Sequence, residues 1–470
     1  MRTHTENLLK FVADVNEKAS LNTNKENSLV SHITKVGSIN FDSILYSSQN
    51  KKNNFFYWNI PANDFTIFCY GSIFSISENG AQRTENTENK ISSLHKNFTN
   101  NWNDYNLSSI PLIVGGMKFS ADDKNEIWHD FADSEWKIPQ NVLLKNSSGS
   151  FLITNFFLSY SEEEILKSFR DGFELLNCSQ TNGGHEVKFY KVAELSSEEE
   201  KNSWTEKVKS ALDKISKNEI QKIVLSRKVQ LKFETEPKLY KLLSDLSNDF
   251  PKCYIFAFKN NDSIFFGASP EKLAKISDGW IEADALAGSF PRGENEEDDK
   301  KLADELLNSK KNLAEQKAVV EFIEDSFKDF SDEIIYDKKP IIRKLSNIQH
   351  LWTPIKAKLN KDYTIFHLLK SIHPTPAICG APWSVALSNI KQLENFERGL
   401  FAGITGWFNF ENEGEFAVSI RSALLKGNDL YAFAGCGIVE GSDPEVEFEE
   451  TELKLKPILS LFENEKTYQP

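Results

Sequence analysis

Cysteine is scarce and scattered: the 470 residues hold five, Cys69, Cys178, Cys253, Cys379 and Cys436, with no CxxC pair and no paired spacing. That argues against a disulfide framework or a cysteine zinc site and reads as reduced thiols. No stretch approaches the roughly 18 consecutive apolar residues of a membrane span. The opening MRTHTENLLKFVADVNEKAS is too polar and too acidic for a signal peptide. A soluble, cytoplasmic protein with no membrane partner is therefore expected. Positive charge is also in deficit, since 55 Lys and Arg against 69 Asp and Glu leave a net charge of −14. Such a chain lacks the basic face that nucleic-acid phosphates require, although a local pocket can still be positive and take an anion. Familiar catalytic signatures are missing as well. There is no GxSxG, HExxH or Walker A sequence, and no GxGxxG that follows a strand and opens a helix. No repeat of fixed short period runs through the chain.

What is present is a large apolar fraction. Hydrophobic residues make up 40% of the chain and phenylalanine alone occurs 35 times, enough for a sizeable core. The length allows two or three domains or one large unit. Up to about residue 195, stretches such as FTIFCYGSIFSIS and GSFLITNFFLSYS read as strands. SEEEILKSFRDGFELL opens with a capping box, Ser161 to Glu164. The acidic stretch SSEEEKN, 196–202, is the best candidate linker, and it divides a portion 1–200 from a portion 201–465. After it, Trp204, Val208, Leu212 and Ile215 recur with helical spacing behind a second capping box, Ser203 to Glu206. QKIVLSRKVQLKF, YIFAFKN and SIFFGAS then read as strands, and one long helix is expected over about 299–327. Strands follow one another without regular βαβ alternation, so the fold class is α+β, with large antiparallel sheets flanked by outer helices.

Several charged residues admit both a structural and a chemical reading. Glu315 shares a face with Ala318, Val319 and Phe322 on the long helix, where a carboxylate needs a cation or metal unless it reaches solvent. In EVEFEETELKL, Glu447, Glu450 and Lys454 fall on one helical face, as a hard-cation site with a carboxylate-binding lysine or as an ordinary solvated face. Lys222 heads the apolar strand KIVLSR, as a base or as a lysine that snorkels to water. Glu271 follows Pro270 in FFGASPEKL, as a general acid presented from a shaped apolar turn or as a plain turn residue. The glycines of AGCGIVEG are too common a pattern to mark a phosphate loop.

Taken in order, KIVLSR, FFGASPEKL, ALAGSFPRG, LAEQKAVVEFI, QHLWTPIKAKL, SIHPTPAICGAPWSVA, FERGLFAGITGW, FAVSIRSA and FAGCGIVEGSDPEVEFEETELKL resemble the successive motifs of the chorismate-utilising enzymes. The likeness is strong over about 203–462 and weaker upstream, where FYWNIP and IVGGMKFSADDKNEIWHDFADSEWKIP carry it. It implies one large α+β unit around a deep central site, with 1–200 as a variable portion packing onto a chorismate-binding catalytic core at 201–465, and 196–202 as a surface loop rather than a boundary. HPTPA, LAGS and Lys222 resemble the isochorismate synthase branch, whereas the ammonia-using anthranilate synthases usually read HPTGT and generally lack the lysine.

The resemblance implies roles. Lys222 is expected to be the general base that activates water for attack at C2 of chorismate, and Glu271 the general acid at the C4 hydroxyl. Glu315 and Glu450, with Glu447 beside them, are expected to hold Mg²⁺ on the ring carboxylate. Arg421 and Lys454 should take the enolpyruvyl carboxylate. Gly288, Ser289 and Gly435 should offer backbone N–H groups to substrate oxygens, with His350 and Ala377 lining the pocket. Two positions depart from the pattern: Cys436 replaces the usual alanine, and Trp383 stands where a smaller or basic residue is common. The rival readings are a salicylate synthase, an aminating subunit that works with a glutaminase, and an inactive chorismate binder. The expected form is a monomer with no obligatory glutaminase partner.

Overall fold

The computed structural model describes residues 2–19, 28–49, 51, 53–105, 107, 110–121, 127–178, 189–192, 197–345, 348–360 and 363–462. Among these, the strands assemble into a 13-stranded sheet and a 10-stranded sheet. The larger sheet runs from Phe189–Val192 through Lys222–Phe233, Asp429–Ile438, Ser422–Lys426, Ser263–Ser269 and Tyr254–Asn260 to Phe55–Ile60 and beyond. The smaller sheet includes Ile348–Lys358, Trp280–Pro291, Lys272–Ser277, Gly414–Val418, Ile404–Phe408 and Ile113–Met117. Pairing around these strands is antiparallel, while the edge pair Leu29–Val36 with Phe98–Asn100 is parallel. Strands from both halves of the chain interleave: Phe55–Ile60 pairs with Tyr254–Asn260, and Ile113–Met117 with Ile404–Phe408.

The apolar strands owe their continuous hydrophobicity to burial on both faces. Phe256, Phe258 and Phe265 join a core that also contains Trp136, Ile355 and Trp407 of the smaller sheet, so the two sheets pack against each other. Their neighbours Ile255, Ala257, Ile264 and Phe266 point the opposite way, into a second core with Leu242, Leu246, Leu455 and Ile458 of the outer helices.

The capping box at Ser161 forms as expected, with Ser161 and Glu164 exchanging bonds. Three other expectations are corrected. The stretch proposed as a linker is helix from Ser197 onward, the first turns of Ser197–Ser216, while residue 196 lies outside the described residues. Ser203 is therefore interior to that helix and caps nothing. Glu198, Glu199 and Glu200 occupy the first turn instead, where the helix dipole favours them. The single helix expected over 299–327 is two, Glu296–Asn308 and Lys310–Lys328, separated at Ser309, whose hydroxyl accepts from the Asn312 N–H. The buried face of the second helix is Gln316, Val319, Ile323 and Phe327, with Ala318 exposed. Glu315 sits at the edge of that face.

Candidate active site

Two chain segments pass from one sheet to the other side by side, and both carry charge. Ser263–Ser269 belongs to the larger sheet and Lys272–Ser277 to the smaller, so Pro270 and Glu271 form the crossing. Gly414–Val418 and Ser422–Lys426 are joined by a second crossing that contains Arg421. The crossings are tied together. The Val418 N–H donates to the Glu271 carbonyl at 3.1 Å and the Ala268 N–H to the Arg421 carbonyl at 3.0 Å, while the Ser269 hydroxyl donates to the Val418 carbonyl at 2.5 Å. Arg421 takes the left-handed conformation, with φ of 52°, a costly backbone state for a non-glycine residue that neighbouring structure must hold in place. Its guanidinium has no hydrogen bond or ion pair among the described residues, although it is buried. It is therefore placed to receive an anion.

Glu271 is only 5% exposed. Burial pushes its carboxyl up to about 7, the Asp284 carboxylate adds to the rise, and Arg421, Lys222 and Lys454 pull against it. Asp284 is itself held by Arg343 at 2.7 Å and lies 3.7 Å from the Lys272 ammonium.

Across the cavity, Lys222 heads the strand Lys222–Phe233 and its Nζ meets Glu315 Oε1 at 2.6 Å. The neighbouring strand makes room with glycine. A Cβ at Gly437, which pairs with Val224, would stand 2.7 Å from Lys222 Cε and 3.3 Å from Glu315 Oε1. The helix Pro444–Leu459, capped by Asp443, presents Glu447, Glu450 and Lys454 to the same cavity. Each carboxylate expected to hold a metal has a lysine on it. Lys311 lies 3.1 Å from Glu447 and Lys454 lies 2.6 Å from Glu450, in addition to the Lys222–Glu315 pair. Burial raises the Glu315 carboxyl, but the charge and hydrogen bond of Lys222, with Lys454 and Lys311 behind, bring it below its ordinary value. Among the described residues no group of three or more His, Cys, Asp or Glu converges as a ready-made metal cage. The donor set still suits a hard cation, being carboxylates from two helices on one cavity, each now balanced by an ammonium.

On the remaining side, Gly288 has φ of +69° and its position leaves no room for a Cβ against Asn312. His350 Nδ1 is within 3.0 Å of the Ser289 hydroxyl and 3.2 Å of the Gly288 carbonyl, and its Nε2 has no partner. Burial, with Arg421 and Lys454 nearby, lowers its pKa to about 3, so the ring is neutral. The space between these groups, counted with its solvent-filled mouth, is about 920 Å³.

Every residue expected to act on or bind substrate or metal except Lys222 lines this cavity. Lys222 reaches it through Glu315. Lys454 contacts Glu450 and the Gly435 carbonyl, so its amine must change partners to bind a substrate carboxylate. Trp383 is half exposed and away from the wall, and Cys436 is buried with its thiol directed at the Glu447 carbonyl. Sequence reading missed Ser226, Lys311, Asn312, Arg398 and Gly437, which also line the cavity. Only Gly437 left a signal, the glycines two apart in AGCG that fall on one face of a strand.

Two facing sheets with an acid, a lysine, balanced ion pairs and one unpaired guanidinium between them define an enzyme pocket that can take a small anion. The chain belongs to the chorismate binding enzymes, whose family model matches residues 14–463. Isochorismate synthase MenF of Bacillus subtilis is 32% identical over 450 residues, 93% of this chain and 94% of that protein. Anthranilate synthase component 1 of Saccharolobus solfataricus is 30% identical over 366 residues, 76% of this chain and 82% of that protein. The solved structure of MenF, the menaquinone-specific isochorismate synthase from Escherichia coli, shares the fold with a TM-score of 0.77 at 22% identity, covering 98% of this chain and 99% of that one.

Proposed function

We propose that the chain is an isochorismate synthase, which converts chorismate to isochorismate with Lys222 as base and Glu271 as acid. The observation that carries the reading is the pair itself: Glu271, its carboxyl raised to about 7, lines a cavity that also offers the unpaired Arg421 guanidinium, and Lys222 reaches that cavity through its 2.6 Å contact with Glu315 on the wall. An acid and a base poised from opposite sides fit a reaction in which one hydroxyl enters and another leaves. Lys222 exchanges Glu315 for a water and takes its proton as the oxygen attacks C2. The diene shifts, the C4–O bond breaks, and Glu271 donates its proton to the departing hydroxyl, so water enters and water leaves. Arg421 grips the enolpyruvyl carboxylate through two parallel bonds, aided by Lys454. Neutral His350 and the Gly288–Ser289 backbone orient substrate oxygens, and Ala377 leaves space for the ring. Glu315 and Glu450, with Glu447, would hold Mg²⁺, whose contribution is to neutralise the ring carboxylate facing these glutamates.

The nearly full-length likeness to the Bacillus subtilis MenF, which shares its name with the menaquinone-specific enzyme of Escherichia coli, favours service to menaquinone synthesis. Five free cysteines, and the absence among described residues of any helix long and apolar enough to cross a membrane, support a cytoplasmic setting. We propose a monomer, folded as one unit, that needs no glutaminase.

Chromatography of products from chorismate tests the reading. Isochorismate is expected with Mg²⁺ and not after treatment with EDTA. Fluorescent salicylate appearing without a second enzyme would establish the salicylate synthase reading, and an ammonia-dependent aromatic amine the aminating one. Arg421→Lys should raise KM for chorismate by about tenfold or more with a smaller change in kcat, because a single ammonium cannot make the two-pronged contact.

A further inference from the structure

The strand that carries Lys222 has an incomplete edge. On one side Lys222–Phe233 pairs along its length with Asp429–Ile438. On the other, Gly380–Ala381 covers only Lys222 and Ile223, and Phe189–Val192 covers only Gln230 to Phe233. Between Val224 and Val229 no strand flanks that edge among the described residues; the Val224 N–H still reaches the Cys379 carbonyl at 2.9 Å, but the Val224 carbonyl and the Ser226 N–H, both on buried residues, need partners of another kind.

A buried ion pair supplies partners for these two groups. Glu394 and Arg398 have side chains 2% and 3% exposed and meet through two bonds, Nε to Oε2 at 2.9 Å and Nη2 to Oε1 at 2.6 Å. Glu394 Oε1 also accepts from the Ser226 N–H at 2.8 Å. Arg398 Nη2 donates to the Val224 carbonyl at 2.8 Å, and Nη1 to the Ile378 carbonyl at 2.9 Å. The guanidinium lies 4.4 Å over the Phe119 ring. These two side chains thus make two of the bonds that a neighbouring strand would make, at the Val224 carbonyl and the Ser226 N–H, and they add one to the segment that carries Ala377. Burying such a pair is costly unless its remaining donors and acceptors are used, and here they are.

We infer that the Glu394–Arg398 pair is a positioning device for the reaction, a side-chain substitute for a missing strand that fixes the Lys222 strand against the Ala377–Ile378 wall. It acts through Val224, Ser226 and Ile378, and does not itself hold the substrate. The kinetic part of this inference rests on the isochorismate synthase reading; the structural part does not.

The test uses Arg398→Lys, which keeps the charge and loses the planar fork, and Glu394→Gln, which keeps an acceptor for Ser226 and loses the charge. Hydrogen exchange followed by mass spectrometry should show amides of 222–228 and 374–381 exchanging about tenfold faster or more in Arg398→Lys, with the rest of both sheets unchanged. In the same variant kcat per folded molecule should fall about 10- to 100-fold while KM for chorismate stays within about threefold. Glu394→Gln should show the same pattern more weakly, and it decides the matter if Arg398→Lys does not fold. Unchanged local exchange with unchanged kcat overturns the inference. So does a rise in KM at constant kcat, which would make Arg398 a substrate ligand. If the wild-type protein forms no isochorismate, the functional reading fails, and the exchange pattern still decides whether the pair stands in for a strand.

Discussion

Glu271→Gln should lower kcat by about three orders of magnitude, leave KM for chorismate within a few-fold, and yield a protein that is more stable than the parent above neutral pH. The kinetic part follows from geometry and charge. Glutamine fills the same space on the inter-sheet crossing, so Arg421 and the Val418 hydrogen bond keep their places, but an amide cannot give a proton to a departing hydroxyl. A general acid acts only while protonated. With its carboxyl near 7, wild-type kcat/KM should fall as pH rises through about 7. A variant with full activity, or a wild-type profile flat from pH 5 to 9, would falsify the assignment.

The stability part has the opposite sign from that of a paired carboxylate. Glu271 is raised from its ordinary 4.5 to about 7 in the folded chain. The folded state therefore holds a proton that the unfolded state has already released. Below about 4.5 both states are protonated and the residue costs nothing. As pH rises toward 7 the folded state becomes progressively disfavoured, and above that the full penalty persists, on the order of 3 kcal/mol for a shift of this size. Glutamine removes the penalty. The difference in Tm between variant and parent, measured without substrate, should be small at pH 5 and clearly positive at pH 8. No pH dependence in that difference would mean that the Glu271 carboxyl is not raised.

The antiparallel α+β architecture was legible because phenylalanine-rich strands, turn residues and capped helices each leave a local mark. The linker placed at 196–202 misread charge as looseness: Glu198 to Glu200 are a helix start, and Glu200 reaches 2.6 Å from Arg227 on the Lys222 strand. The break at Ser309 was missed because helical spacing continues through it, while the hydroxyl that ends one helix caps the next. At the site, composition and spacing alone left Lys222 and Glu271 ambiguous, and only resemblance to known motifs linked them. The physical reason is that Glu271 and Arg421 meet at the two crossings, while Lys222 comes in from a strand end and meets Glu315 on a separate helix. Side chains far apart in sequence meet where strands change sheets, and no periodicity within one strand encodes such a meeting. Glu394 and Arg398 were invisible for a related reason, since their partners are backbone atoms of a strand whose edge is open only in three dimensions.

Lys222 carries the other large expectation, and three substitutions separate its possible roles. Lys222→Ala should reduce kcat by about 10³- to 10⁴-fold, a loss typical for removal of a general base. It also strips the 2.6 Å partner from Glu315, the strongest of the influences that hold that carboxyl low. A carboxylate with a lowered pKa stabilises the fold above its unfolded value and ceases to do so in acid, so the alanine variant should lose Tm mainly at neutral pH and approach the parent as pH drops. Lys222→Met isolates the packing, because it fills the channel beside Gly437 without an amine; it should be as inactive as alanine and better folded. Lys222→Arg keeps a cation against Glu315 yet cannot release a proton at working pH. If the lysine supplied only charge, the arginine variant would retain most of the rate. If it is the base, that variant should be dead, and a small primary amine added to Lys222→Ala should recover part of the lost kcat by occupying the space between Gly437 and Glu315. Activity in Lys222→Arg above about a tenth of the parent, together with no response of Lys222→Ala to added amine, would place the base elsewhere in the cavity.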